Sequence, residues 1–407
     1  MHVTRIHITI LLAFFVCTPS LFAGTVKPGL DVFLTHYTHL VKGKRVGLIT
    51  NQTGINSKGQ TNIDLFHQSP DINLSILFAV EHGIRGKILA GEQVSDSEDS
   101  KTGIAISSMY SHGYEPKASD LKKIDVLIYD MQDVGSRAYT YIWSMAKAMK
   151  ACAAQKKIFI VLDRPNPLTG VQIDGPVTEK KWLSLIGLYP VPRTYGLTVG
   201  EMAAYLNKAE NINCRLTVVP MAGYKRYMNW EDTGLKWVPS SPNIPNVKSA
   251  ICFAATGTIG TLGFIHIGIG TRFPFQIIGT PWIKAKKTAQ YLNAYKLPGI
   301  RFRPFYFIPK KGLFKGQKVE SVILQITSTK NFMPSRTEIC IIKHLKSHYP
   351  NQFFWPQSNI ASFDKAMGSS SVRLALTQGK SVTSIFDGWK ADLQTYDQKR
   401  KQFFLYE

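Results

Sequence analysis

Four carboxylates and three arginines stand where apolar runs of the chain end. The runs read Ile76-Leu-Phe-Ala-Val-Glu81-His82-Gly-Ile-Arg85, Val126-Leu-Ile-Tyr-Asp130-Met-Gln132-Asp133-Val-Gly-Ser-Arg137 and Ile158-Phe-Ile-Val-Leu-Asp163-Arg164-Pro-Asn166. Paired carboxylates are what glycoside hydrolysis needs: one protonates the leaving oxygen, the other acts as base or nucleophile. The surplus arginines suit a sugar that itself carries a carboxylate. Burial raises a carboxyl pKa and a nearby arginine lowers it, so a Glu placed like Glu81 can serve as a general acid, with His82 beside it. Asp130 and Asp133, with Gln132 between them, suit a base, a hydroxyl ligand or a metal site. The turn Asp163-Arg164-Pro165-Asn166-Pro167 presents Arg164 to a carboxylate and Asn166 to a hydroxyl. Each motif also has a structural reading. Glu81 can be an ion-pair partner of Arg85 or Arg137, one of the two aspartates a helix cap, and Asp163 a partner of Arg164 or of an adjoining loop. Tyr110, Tyr139, Tyr141, Trp143 and Tyr189 offer rings for stacking on sugars, though most belong to a core.

Short continuous apolar runs bounded by turn signals are the pattern of strands buried on both faces, as in a parallel sheet. Ligands of such sheets bind outside the carboxyl ends of the strands, where strand order reverses. The chain alternates strands (Arg45 to Asn51, Leu74 to Val80, Ala105 to Tyr110, Asp125 to Tyr129, Ile158 to Leu162, Arg215 to Pro220) with helices, which implies a parallel sheet with right-handed crossovers. The helices are a short one from Thr61 to Gln68, one from about Tyr139 to Gln155, and one opened by a capping box of Thr198 and Glu201. The glycine-rich, acidic stretch from Gly83 to Gly103 reads as a loop over the rim. The fold expected is α/β: a Rossmann-like domain over residues 24–245 and a smaller mixed α/β domain over 246–407. The proline-dense Pro239 to Asn246 marks a domain junction or cleft wall. In the second domain we expect a strand from Val319 to Thr327, a helix from Ser335 to Tyr349, one long C-terminal helix from Ser381 to Phe404, and tight turns at Gly257 to Gly263 and Gly268 to Gly270.

Residues 1–23 read as a secretory signal. His2 and Arg5 precede an apolar stretch from Ile8 to Val16, and cleavage is expected after Ala23 rather than lipid attachment at Cys17. Nothing later approaches the roughly 20 apolar residues of a membrane span. The expected location is a periplasm or the exterior. The remaining cysteines, 152, 214, 252 and 340, have no zinc-like spacing, and Cys152 and Cys340 look like small buried hydrophobes. The net charge of +22, from lysines and arginines spread along the chain, points to anionic envelope polymers or membrane surfaces. No nucleic-acid signature accompanies it. No G-x-G-x-x-G follows the first strand and no glycine-rich segment ends in Gly-Lys-Ser/Thr, so no cofactor is expected.

The ordered motifs Gly47-Leu-Ile-Thr-Asn51-Gln-Thr-Gly54, Val80-Glu81-His82-Gly-Ile-Arg85-Gly86, Asp130-Met-Gln132-Asp133-Val-Gly-Ser-Arg137-Ala-Tyr139-Thr-Tyr141 and Leu162-Asp163-Arg164-Pro-Asn166-Pro167 resemble those of the NamZ-type exo-β-N-acetylmuramidases. Gly175-Pro176, Tyr189-Pro-Val-Pro192, Gly196-Leu-Thr198-Val-Gly-Glu201, Pro242-Asn-Ile-Pro245 and Phe363-Asp-Lys-Ala-Met-Gly368 extend the resemblance over residues 28–407. It implies a cleft between the two domains, release of N-acetylmuramic acid from the non-reducing end of peptidoglycan fragments, and a catalytic Glu at Glu81. The muramyl lactyl carboxylate would then explain the arginines. On this reading Glu81, His82, Asp130 and Asp133 are catalytic, and Asn51, Arg85, Gln132, Arg137, Tyr139, Asp163, Arg164 and Asn166 bind substrate. The chain departs from the family in its second domain. Ala255-Thr-Gly257-Thr stands for Glu-Gly-Thr-Asn, Gly268-Ile-Gly-Thr271 for Gly-Arg-Gly-Thr, and Pro274-Phe-Gln276 for Pro-Phe-Glu. The rival readings are a non-catalytic binding protein for muramyl sugars and a metal-dependent hydrolase built on Asp130, Asp133 and Asp163.

Overall fold

The computed structural model describes residues 25–86, 92 and 94–407; the expected signal segment lies outside them. Twelve strands are found among these residues: β1 Arg45–Thr50, β2 Asn73–Ala79, β3 Ser97–Glu98, β4 Ala105–Ser108, β5 Val126–Asp130, β6 Ile158–Leu162, β7 Asp174–Val177, β8 Pro192–Thr194, β9 Arg215–Val219, β10 Ile277–Thr280, β11 Ile300–Phe307 and β12 Val319–Ile326. Seven form one sheet in the order β3-β4-β2-β1-β5-β6-β9, parallel throughout except at the β3–β4 edge. The chain moves outward from β1 through β2 to β4, then returns to β5 on the other side of β1. The strand order therefore reverses between β1 and β5, and the crevice expected of such a sheet opens at Thr50 and Asp130.

Alternation explains why these apolar runs are strands. Leu127, Tyr129, Phe159, Val161 and Ile49 face one hydrophobic cluster, while Val126, Ile128, Ile160, Leu162 and Leu48 face another. Each fully buried aliphatic or aromatic side chain contributes roughly 1.5–3 kcal/mol. The first cluster is covered by the helices Tyr141–Ala154 and Val199–Ala209 and runs without a break into the second lobe, through Ile251, Ile341 and Phe363. The lobes thus share a core. The capping box forms as expected: Glu201 N–H donates to Thr198 Oγ1 at 3.2 Å and Thr198 N–H to Glu201 Oε2 at 3.0 Å.

The second lobe holds the antiparallel sheet β10-β12-β11 and the helix Pro334–His348. Two expectations fail there. The C-terminal helix is broken at Gly388-Trp389 into Val382–Asp387 and Lys390–Arg400, where Trp389 turns into the core. Gly257 and Gly260 are not turns but lie in the helix Val247–Gly260, which Gly260 lets pack closely: a Cβ there would meet Ile267 at 2.4 Å. Gly268 and Gly270 do turn the chain, with φ of +88° and +81°. Cys152, Cys214, Cys252 and Cys340 are free and buried.

Candidate active site

Glu81 stands one residue, Val80, beyond the end of β2. The chain turns there with left-handed backbone at His82 (φ 72°) and Gly83 (φ 70°), and Gly83 N–H donates to Val80 O at 3.0 Å. A side-chain-bearing residue in that region is uncommon and marks a constrained turn. The turn brings the partly exposed Glu81 to the crevice, where Thr140 Oγ1 donates to its Oε2 at 3.0 Å. Thr140 is the N-cap residue of the helix Tyr141–Ala154, yet its side chain makes no capping bond. Its hydroxyl is committed to Glu81 instead. The positive end of a 14-residue helix therefore lies beside this carboxylate. Gly86 closes the turn against Gln52, since a Cβ there would lie 2.2 Å from the Gln52 amide, and Gln52 Nε2 donates to Pro239 O at 2.8 Å. The proline-dense segment is thereby tied over the rim.

Tyrosines surround Glu81. Burial, and then the charge of Glu81, push the Tyr114 phenol upward; Tyr139 and Tyr141 are raised chiefly by burial, with Glu81 contributing. Tyr141 donates to Ser240 O at 2.7 Å, and its ring meets Tyr139 edge-on at 4.7 Å. From Tyr139 the rings continue to Phe253 (5.9 Å) and then Phe275 (5.1 Å) in the second lobe.

The other three acids are sealed. Asp130 Oδ1 accepts from Arg164 Nε at 2.6 Å and Oδ2 from Asn62 Nδ2 at 2.8 Å, with both charges buried. Asp163 Oδ1 accepts from the N–H groups of Arg164 (2.9 Å) and Gly200 (2.7 Å), and Oδ2 from Thr198 Oγ1 (2.7 Å) and the Tyr406 hydroxyl (2.6 Å). Burial pushes its pKa up to about 6 against these donors. Asp133 is likewise pushed up to about 6 by burial, opposed by Tyr195 and the Gly135 N–H, which both donate to Oδ2; its Oδ1 has no partner. A trio spoken for by arginine, amide, hydroxyl and N–H donors does not present itself as a metal cage. Among the described residues no cluster of three such side chains is gathered for a metal.

Ten of the twelve expected site residues are buried, Glu81 and Arg85 being the exceptions. Arg85 pairs with buried Asp99 at 2.6 Å, lining a recess of about 230 Å³ with His82 and Glu98. Gln132 Nε2 ties two strand ends together, donating to Asp133 O (2.8 Å) and Pro165 O (2.7 Å). Asn166 holds its turn through Leu197 O and Leu168 N–H, both at 2.8 Å. Arg164 also donates to Ile55 O at 3.0 Å. Arg137 is fully buried, donating to the carbonyls of Pro176 (3.0 Å), Val191 (3.1 Å) and Ala366 (2.9 Å), so it joins the lobes. Asn51 Oδ1 accepts from Thr53, leaving a buried Nδ2 without a partner at the end of β1. Thr140, Gln52, Asn62 and Tyr195 were missed as site residues. Thr140 and Gln52 lie inside quoted motifs, but nothing local marks their partners.

Residues 46–248 match the model of the NamZ exo-β-N-acetylmuramidase N-terminal domain, and residues 251–406 that of its C-terminal domain. The chain belongs to the NamZ family. It is a family of glycoside hydrolases, and this chain is one of them. The chain is 40% identical to the peptidoglycan β-N-acetylmuramidase NamZ of Bacillus subtilis strain 168 over 94% of its own length and 91% of that protein's. Two DUF1343 family crystal structures from Bacteroides fragilis share the fold. One has TM-score 0.89 at 36% identity, the other 0.73 at 27%, and each comparison covers 94% of this chain and 99% of the solved one.

The departures from the NamZ pattern are accommodated inside the second lobe. Thr256, before Gly257, is buried and donates to Cys252 O (3.1 Å) and Phe275 O (2.9 Å). Gln276 donates to Ser249 Oγ at 3.1 Å. Arg193 and Glu338 form a buried pair at 2.5 Å behind this wall, where burial pushes Glu338 up to about 7.

Proposed function

We propose that the protein is an exported, exo-acting hydrolase that releases N-acetylmuramic acid from the non-reducing ends of peptidoglycan fragments. Family membership supports the reaction class, and the apolar stretch Ile8 to Val16 before Ala23 supports export. One observation carries the assignment of Glu81: it alone among the four rim acids keeps solvent access while being oriented, by Thr140. Glu81 is the general acid that protonates the leaving glycosidic oxygen. Asp133 is buried but keeps one oxygen, Oδ1, without a partner and has its pKa pushed up to about 6, so it serves as the base where bound substrate brings a water to that oxygen. Asn51 Nδ2 supplies a donor for a sugar oxygen at the switch point of the sheet. Arg85 is the accessible cation for the lactyl carboxylate, whereas Arg137 and Arg164 act through the scaffold.

A chromogenic β-N-acetylmuramide tests this reading. Wild type should release the chromophore, and Glu81→Gln should lose at least about a hundredfold in kcat. Tight binding of free muramic acid without turnover at any pH from about 5 to 8 would establish a binding protein instead. N-terminal sequencing of protein from the medium or periplasm should begin at Gly24, and an intact Met1 end would refute export.

A further inference from the structure

Lysines and arginines are spread along the chain, but carboxylates are not, so its net positive charge is uneven. Between Asp232 and Glu338 there is one carboxylate side chain, Glu320, against fifteen lysines and arginines. Glu320 is itself engaged, accepting from Ala285 N–H at 2.8 Å. The β11–β12 hairpin gathers much of this charge. β11 is an edge strand, and period two places Arg301, Arg303, Phe305 and Phe307 on one of its faces. The connection to β12 adds Lys310, Lys311, Lys315 and Lys318, all exposed. Neither these four nor the exposed Arg272, Arg301 and Arg303 has a carboxylate partner among the described residues.

The hairpin also adjoins the altered wall. Phe273 packs on Phe305 with ring centres 5.3 Å apart, and the Lys311 stem lies over Gly270, where a Cβ would be 3.3 Å from it. The run Phe273–Gln276 in turn meets the rings that lead from Tyr139 beside Glu81, through Phe253 to Phe275. An exo-acting enzyme grips one terminal sugar and must let the rest of the polymer leave along its surface. The stem peptides of that polymer carry carboxylates, which seven unpaired cations interleaved with aromatic rings complement in charge.

We propose that the β11–β12 hairpin, with Arg272, is a docking surface for the carboxylate-bearing peptidoglycan polymer, holding the enzyme on its substrate apart from the catalytic site. The identity of the polymer rests on the function proposed above. The attraction is electrostatic, so it weakens as salt shortens the Debye length from about 10 Å at 0.1 M. It acts on the polymer and leaves small muramides unaffected.

The test is co-sedimentation of the full chain, carrying Glu81→Gln to prevent digestion, with purified sacculi over a series of salt concentrations. Adding Arg301→Glu, Arg303→Glu, Lys311→Glu and Lys315→Glu should cut the bound fraction about tenfold or more at ~0.1 M salt. The same four exchanges with Glu81 intact should leave turnover of the chromogenic muramide within about twofold, and the charge-keeping set Arg301→Lys, Arg303→Lys, Lys311→Arg and Lys315→Arg should sediment like wild type, which separates lost charge from misfolding. Amidating the sacculus carboxylates should release the wild-type surface. Equal sedimentation of the charge variant, or retention unaffected by amidation, overturns the proposal, as does capture by anionic vesicles or duplex DNA but not by sacculi. If muramide hydrolysis is absent while charge-dependent sedimentation persists, the proposed reaction fails and the docking surface stands.

Discussion

Thr140 donates to Glu81 across the crevice between β2 and the helix that follows β5, at 3.0 Å, and leaves its own helix N-terminus without a side-chain cap. A threonine at that place ordinarily stabilises its helix by about 1 kcal/mol through the capping bond. Here the hydroxyl is given to the Glu81 carboxylate instead. Thr140→Val should therefore lower kcat on the chromogenic muramide by about tenfold or more, with KM nearly unchanged, while Thr140→Ser, which keeps the hydroxyl, restores most of it. Equal kcat in Thr140→Val and wild type would show that Glu81 needs no such partner.

Arg137 was expected to bind substrate, and the structure buries it among three carbonyl oxygens from both lobes. Replacing it with Met strands those acceptors and should cost about 3 kcal/mol or more in urea unfolding. KM of the remaining folded enzyme should not change. A raised KM with undiminished stability would return Arg137 to the substrate site.

The Asp130–Arg164 pair lies under the switch point with both side chains buried. Removing one partner leaves the other charged and alone, so Asp130→Asn and Arg164→Met should each cost about 3–5 kcal/mol. The double variant should cost clearly less than the sum of the two, and strict additivity in denaturant titrations would show that the two charges do not interact.

Burial raises Asp163 to about 6 in the folded protein, against 3.8 unfolded. Between those values the native state binds more protons than the unfolded chain, so this group favours folding below about pH 4 and that contribution is lost as pH rises to about 6. Asp163→Asn removes the titration. Its cost relative to wild type should shrink as pH rises from about 4 to 6, read from unfolding free energies; a cost independent of pH would contradict the raised pKa.

Much of the site was legible locally. The apolar runs named the strands because each strand's alternate residues are buried on the two faces of one parallel sheet, and the ends of such strands must share a rim. The Thr198/Glu201 capping box could be read because all its atoms lie within one helical turn. The helix break at Gly388-Trp389 was not legible, since an apolar stripe continues across it and only the burial of Trp389 interrupts the helix. The glycines at 257 and 260 misled in the other direction, because close packing against Phe253 and Ile267 uses a glycine as readily as a turn does.

By itself the sequence determined the α/β order, the carboxyl-end rim and the set of acids aimed at it, all products of short-range pattern. Which acid remains available was decided by partners far away in the chain. Tyr406, 243 residues on, helps consume Asp163, and Ala366, 229 residues on, helps hold Arg137. Glu81 is left partly exposed with Thr140 donating to it, and the basic hairpin has no carboxylate partner among the described residues. Burial and pairing depend on the packing of whole elements, so only the tertiary structure sorts chemically equal carboxylates into scaffold and acid.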